Sequence, residues 1–380
     1  MIGRVFLASV LALPALAAPA VAAADDCNPK KGTVQLPASE PWAQKRLDIK
    51  NAWRLTKGAG VTVAVVDSGA DLHPQVQLSK IIDETHTGYQ DCVGHGTAVS
   101  GIVGAHYIAG VPFHGVAPDA RIVMIKQSNK AEGDVAKLIS GIDDAVAAKA
   151  DVINVSVRAS DTPGLRAAVQ RALDQDIVVV AAAGNVTGPD DQEVPAYPAA
   201  YEGVLAVGAA TPDGRRADSS NAATPVSVLG PGTDITAPWP GRSYMRGLQG
   251  TSFAAPYVAG TAALVRSRFP DLTREQVRQR IIATADGTVG AGSGTGMVNP
   301  VLALTAVLPY EAVNAPVVAE PPPAALPVGA IAKVPPRDEN AFGVSLAVAG
   351  ATLVAIMVAG ALALLVPLGR RRGWRAGRVS

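Results

Sequence analysis

The sequence has almost no excess charge, few aromatic residues and only two cysteines. Its 33 Lys and Arg stand against 32 Asp and Glu, a formal net charge of +1. That balance argues against a chain built as a whole to bind nucleic acid. Aromatics make up 4% of the residues; Ala, Val and Gly dominate instead, which suits closely packed α/β layers. No repeat of solenoid period occurs, and there is no Walker A sequence. The string GAGSGTG from Gly290 follows no strand–helix unit of the right order, so it gives no nucleotide site. No dense loop of oxygen ligands resembling an EF-hand appears. No metal or cofactor is therefore expected.

What is present divides the chain. At 380 residues and 48% hydrophobic content it can bury one large core. Residues 1–24 carry one arginine, an apolar run and small residues, the pattern of a signal peptide cut after Ala22 or Ala24. From Ala341 to Leu368 no charged residue occurs over 28 positions, enough to cross a bilayer with some tilt. The basic tail 369–380 behind it sets a cytoplasmic C-terminus. Eight prolines between Pro309 and Pro336 rule out ordinary helix and central strand, so 309–340 reads as an extended stalk. Between these lie an extension, 25–50, and a folded domain, 51–308.

Inside the domain, apolar runs alternate with helical patterns. Val61–Val66, ARIVMIK up to Lys126, DVINVSV, IVVVAAAGN and GVLAVGAA read as buried strands. Val135, Leu138, Ile139, Ile142 and Ala145 recur at helical spacing, and TPGLRAAVQRALDQD reads as a second helix. Thr273 and Gln276 form a candidate capping box before a third. Strands free of polar interruption, separated by helices, indicate α/β architecture: a mainly parallel sheet with helices on both faces.

Three side chains stand at element ends. Asp67 follows the first strand, where sites form in open parallel sheets. His95 lies between two glycines before a small-residue helix. Ser252 opens the helix of GTSFAAPYVAG. Each alone reads as a turn residue or a cap. Together they supply acid, base and nucleophile. A serine hydroxyl needs an imidazole to take its proton during attack and return it to the leaving amine. A buried carboxylate fixes the imidazole tautomer and stabilises its cation. Asn185, after a strand and a glycine, offers an amide donor to an oxyanion beside the Ser252 N–H; its bland reading is a left-handed turn residue. Lys126 and Lys130 are expected to face solvent rather than the cleft.

The blocks VAVVDSGADLHP, GHGTAVSGIVG, AAAGN and GTSFAAPYVAGTAAL resemble the subtilisin-type serine proteases, in the order Asp, His, Asn, Ser. The resemblance covers about residues 45–305. It implies a three-layer fold and a cleft walled by Ser156 and Val157 on one side and Ala182, Ala183 and Gly184 on the other. Two departures stand out. Phe253 replaces a frequent methionine, a change of packing, and Arg158 stands where many members have glycine, which bears on specificity. An isolated cysteine pair outside the cell indicates a Cys27–Cys92 disulfide.

Signal peptide, these cysteines, stalk, single span and basic tail together are similar to the mycosins, membrane-anchored proteases of type VII secretion systems. That likeness implies limited cleavage of secreted proteins, association with a secretion membrane complex, and a single-pass type I protein with its catalytic domain outside the cytoplasm. A protease-like scaffold without required cleavage is the alternative. An α/β-hydrolase esterase is disfavoured, because GTSFA is not a GxSxG elbow and the residue order differs. The 25–50 extension is short for an independent inhibitory domain; it is expected to be retained, wrapped on the catalytic domain.

Overall fold

The computed structural model describes residues 27–33, 36–130, 133–186, 193–287, 290–309 and 339–373. The expected signal peptide and most of the expected stalk lie outside them. The chain divides into two units, Met1–Ala312 and Val313–Ser380.

In the first unit the elements run α1 (Trp42–Arg46), α2 (Ile49–Ala52), β1 (Thr62–Asp67), β2 (Leu78–Asp83), α3 (His95–Gly104), β3 (Arg121–Lys126), α4 (Val135–Ala147), β4 (Val152–Val155) and α5 (Pro163–Asp174). They continue through β5 (Val178–Ala182), β6 (Leu205–Ala210), β7 (Val228–Pro231), β8 (Ile235–Trp239), β9 (Ser243–Leu248), α6 (Thr251–Arg268), α7 (Arg274–Ala283) and α8 (Pro300–Thr305). Seven strands form one sheet in the order β2-β3-β1-β4-β5-β6-β7, and each ladder is parallel. β8 and β9 form a separate antiparallel pair.

Strand alternation builds the layers. Val63 and Val65 of β1 join the core that includes α3 and α6, while Ala64 and Val66 join the core that includes α4 and α5. Side chains two apart share a face, so the four apolar residues 63–66 within this strand feed both cores at once. This is the expected α/β sandwich of helices around a parallel sheet. Helix starts follow local chemistry. The Thr162 side chain accepts from the Leu165 N–H with Pro163 in the first turn, and Thr273 and Gln276 form the capping box.

The N-terminal segment lies on this unit. Cys27 is bonded to Cys92, 65 residues on. Thr33 pairs with Tyr244 of β9, and the Trp239 indole donates to the Lys30 carbonyl at 2.7 Å. The buried Gln44 amide donates to the His114 carbonyl at 3.1 Å, and His114 Nε2 lies 2.9 Å from Glu40 Oε1.

The second unit holds α9 (Glu339–Arg371). Its stretch Gly343–Arg371, mean hydropathy 2.5, is long and apolar enough to cross a membrane, and Arg370 and Arg371 close its last turn. At 1.5 Å per residue, 29 residues exceed the roughly 30 Å hydrocarbon core.

Candidate active site

Parallel strands direct their C-terminal ends to one edge of the sheet, and the site assembles there. Asp67 is the last residue of β1. His95 is the first of α3, and Ser252 the second of α6. His95 Nδ1 lies 2.8 Å from Asp67 Oδ1, and His95 Nε2 lies 2.9 Å from Ser252 Oγ. Asp67 is 1% exposed and His95 21%, so the carboxylate is sealed while the imidazole reaches the cleft. Burial disfavours the imidazolium, yet the Asp67 carboxylate, and Asp91 behind it, outweigh burial and hold His95 above its ordinary value.

Close approach of α3 to β1 depends on Gly96: a Cβ there would lie 2.1 Å from the Gly69 carbonyl oxygen. The same junction is tied by Asp91, a residue that sequence reasoning did not single out. Its buried carboxylate accepts from the N–H of Gly94 at 2.7 Å and of Thr97 at 2.8 Å. The Ser68 hydroxyl donates to it at 2.8 Å. Burial pushes the Asp91 carboxyl up in spite of these donors. The spacing in DCVGHGT was the available signal, since an acid just ahead of a helix start is a capping pattern.

At the Ser252 end, Gly250 precedes α6 with a φ of 133°, a backbone that glycine favours. Asn185 Oδ1 accepts from the Thr251 N–H at 2.9 Å and from the Thr251 hydroxyl at 3.1 Å. Those bonds orient the amide and leave its Nδ2 as a donor. Pro256 stands four residues after Ser252 inside α6 and has no N–H to give the Ser252 carbonyl. The Ser156 hydroxyl supplies that bond at 2.8 Å, and Asn154 Nδ2 donates to Ser156 Oγ at 2.8 Å. Ser156 thus holds the nucleophile's backbone from the neighbouring strand end. The ring of Phe253 packs on His95 with centroids 4.9 Å apart.

These groups open into a cleft of about 400 Å³, lined by Ser156, Val157 and Arg158 and by Ala182, Gly184 and Asn185 among others. Ala183 is fully buried; its carbonyl accepts from Asn221 Nδ2 and the Thr224 hydroxyl, and it is not among the lining residues. Of the two lysines, Lys126 departs from the expectation that it faces solvent, while Lys130 is exposed as expected. Lys126 is fully buried and its ammonium donates to the carbonyls of Gly88 at 2.8 Å and Gln90 at 2.7 Å. The β1–β3 ladder aligns it with Asp67, inside the sheet and under the Thr87–Gln90 loop. Lys130 lines the cleft.

The comparisons agree with this geometry. The Subtilase family model matches residues 58–303. Mycosin-1 of Mycolicibacterium smegmatis is 34% identical over 388 residues, 86% of this chain and 84% of its own. The crystal structure of MycP1 from Mycobacterium smegmatis superposes with a TM-score of 0.67 at 31% identity, covering 75% of this chain and 90% of that one. The MycP3 protease from the type VII (ESX-3) secretion system gives a TM-score of 0.64 at 32% identity, over 72% of this chain and 91% of its own. The chain is a subtilisin-type serine endopeptidase: it belongs to the Subtilase family and, within it, to the mycosins.

Proposed function

We propose that Ser252, His95 and Asp67 cleave peptide bonds of secreted proteins at the outer face of a membrane that carries a type VII secretion complex. The observation that carries the chemistry is the pair of contacts at His95, 2.8 Å to Asp67 and 2.9 Å to Ser252. In the resting tautomer Nδ1–H donates to Asp67 and Nε2 accepts from the Ser252 hydroxyl. Ser252 Oγ attacks the scissile carbonyl carbon while Nε2 takes its proton. The negative charge formed on the carbonyl oxygen is met by Asn185 Nδ2 and the Ser252 N–H at the start of α6. The tetrahedral species collapses, the C–N bond breaks, and Nε2–H protonates the departing amine. Water then attacks the acyl-enzyme by the same relay and frees the acid product.

The topology is single-pass type I, with α9 as the span, the catalytic domain extracytoplasmic and a short cytoplasmic tail. Association with a type VII complex is supported by likeness to MycP1 and MycP3, which come from the ESX-1 and ESX-3 systems. The N-terminal extension is read as retained in the mature protein, because the Cys27–Cys92 bond and the Thr33–Tyr244 pairing tie it to the domain. Mass analysis of the mature chain checks this: an N-terminus near Val61 would contradict it. The experiment that tests the function is N-terminal mapping of co-expressed secreted proteins, wild type against Ser252→Ala. Defined new termini present only with wild type are expected. Identical fragment patterns would refute required cleavage and favour the scaffold.

A further inference from the structure

The cleft carries more charge than its chemistry uses. Four of its lining side chains are ionisable: Asp67, His95, Lys130 and Arg158. Asp67 is sealed and committed to His95. The other two are cations, and both are exposed. Lys130 follows β3 and Arg158 follows β4. The sheet order places β1 between those two strands, so the strands the two cations follow flank the one that ends in Asp67, and both cations line the cleft.

An exposed Lys or Arg is ordinarily a solvated surface group. Two observations set these apart. Neither forms an ion pair among the described residues. The described acid nearest Arg158 in sequence, Asp161, is already engaged by Arg166 at 2.5 Å and by the Tyr201 hydroxyl at 2.7 Å. Arg158 also lies along the cleft wall: its Cδ is 3.8 Å from where a Cβ at Gly184 would stand. Among the described residues, the site thus presents two positive charges without an ion-pair partner.

We propose that this cleft selects peptide segments carrying Asp or Glu within a few residues of the scissile bond, with Lys130 and Arg158 as the specificity-determining side chains. The inference rests on the catalytic reading above. A peptide bound in extended form alternates its side chains at about 3.3 Å per residue, so a segment crossing the cleft passes both cations. Arg158 offers a planar fork that matches a carboxylate, and Lys130 a point charge. Each exposed pairing is weak and screened by salt, about two- to fivefold in affinity. At a position facing one of the cations, attraction for Glu and repulsion of Lys multiply to about fourfold to twenty-fivefold, about tenfold between the two peptides.

The test uses the full-length protein in detergent and a neutral fluorophosphonate that labels Ser252. Competing peptides slow the labelling; they are identical except for Glu, Gln or Lys at one position, scanned across the scissile bond. At one or more positions the Glu peptide should compete at about tenfold lower concentration than the Lys peptide in low salt, with the gap closing near about 0.5 M salt. The order should flatten in Arg158→Gln with Lys130→Gln and reverse with Glu at both positions. Equal competition by Glu and Lys at every position, or a preference that ignores salt and both substitutions, overturns the proposal. Failure of wild type to take the label overturns the catalytic reading, and the preference with it. Normal labelling with no charge preference overturns the preference alone.

Discussion

Replacing Asn185 separates two tasks carried by one amide. Its Oδ1 holds the Thr251 N–H and hydroxyl, which anchors the start of α6. Its Nδ2 is the proposed oxyanion donor. In Asn185→Ala both are lost. The two unmade bonds to Thr251 cost about 1–3 kcal/mol of folding stability. The missing donor costs about 3 kcal/mol of transition-state stabilisation, on the order of 10²- to 10³-fold in kcat. Asn185→Asp divides the effects. The acceptor remains, so thermal stability should stay near wild type. A carboxylate now stands where negative charge develops, so kcat should fall at least as far as in the alanine variant. Steady-state kinetics on a fluorogenic peptide, paired with thermal unfolding, read both quantities. The loss should appear in kcat with KM nearly unchanged, because the interaction is made in the transition state. A loss below about tenfold in both variants, or one carried by KM, would refute Asn185 as an oxyanion donor.

Three further outcomes are expected. His95 is held above its ordinary 6.5 and must be neutral to act as base, so kcat/KM should rise with pH through a midpoint above that value. Asp67→Asn should move the midpoint down and lower kcat by about 10⁴-fold. The same shift stabilises the fold fully below 6.5 and is lost as pH rises through the folded-state value. Ser156→Ala leaves the Ser252 carbonyl without its donor and should lower unfolding free energy by about 1–3 kcal/mol in urea titration; unchanged stability would contradict the positioning role. Cys92→Ser opens a loop of 65 residues, worth about 4 kcal/mol by chain entropy, and reductant should shift the urea midpoint of wild type but not of the variant.

The sheet was legible where strands are buried on both faces. Val61–Val66 and IVVVAAAGN carry unbroken apolar runs, and the strands form there. β2 went unread because LSKIID is an edge strand with exposed and polar positions, and β7 because VLGP ends in Gly and Pro. The triad residues were legible because each sits beside glycines at an element end. Lys126 was misjudged because lysine is rarely buried; only the β1–β3 register and the loop carbonyls above it make its burial tolerable. Ala182 and Gly184 line the cleft while Ala183 does not; β5 ends at Ala182 and Gly184 takes a φ of 92°, a turn that a quoted motif does not display. Pro256 inside α6 leaves the Ser252 carbonyl without a helical donor, a consequence not drawn from the sequence, and the partner that replaces it, Ser156, lies 96 residues away.

The most direct measurement is peptide-level mass mapping of the full-length protein after reaction with a serine-directed phosphonate. A single adduct on Ser252 is expected, absent in Ser252→Ala and strongly slowed in His95→Ala. An adduct on a different serine, or one that persists in Ser252→Ala, would contradict the account.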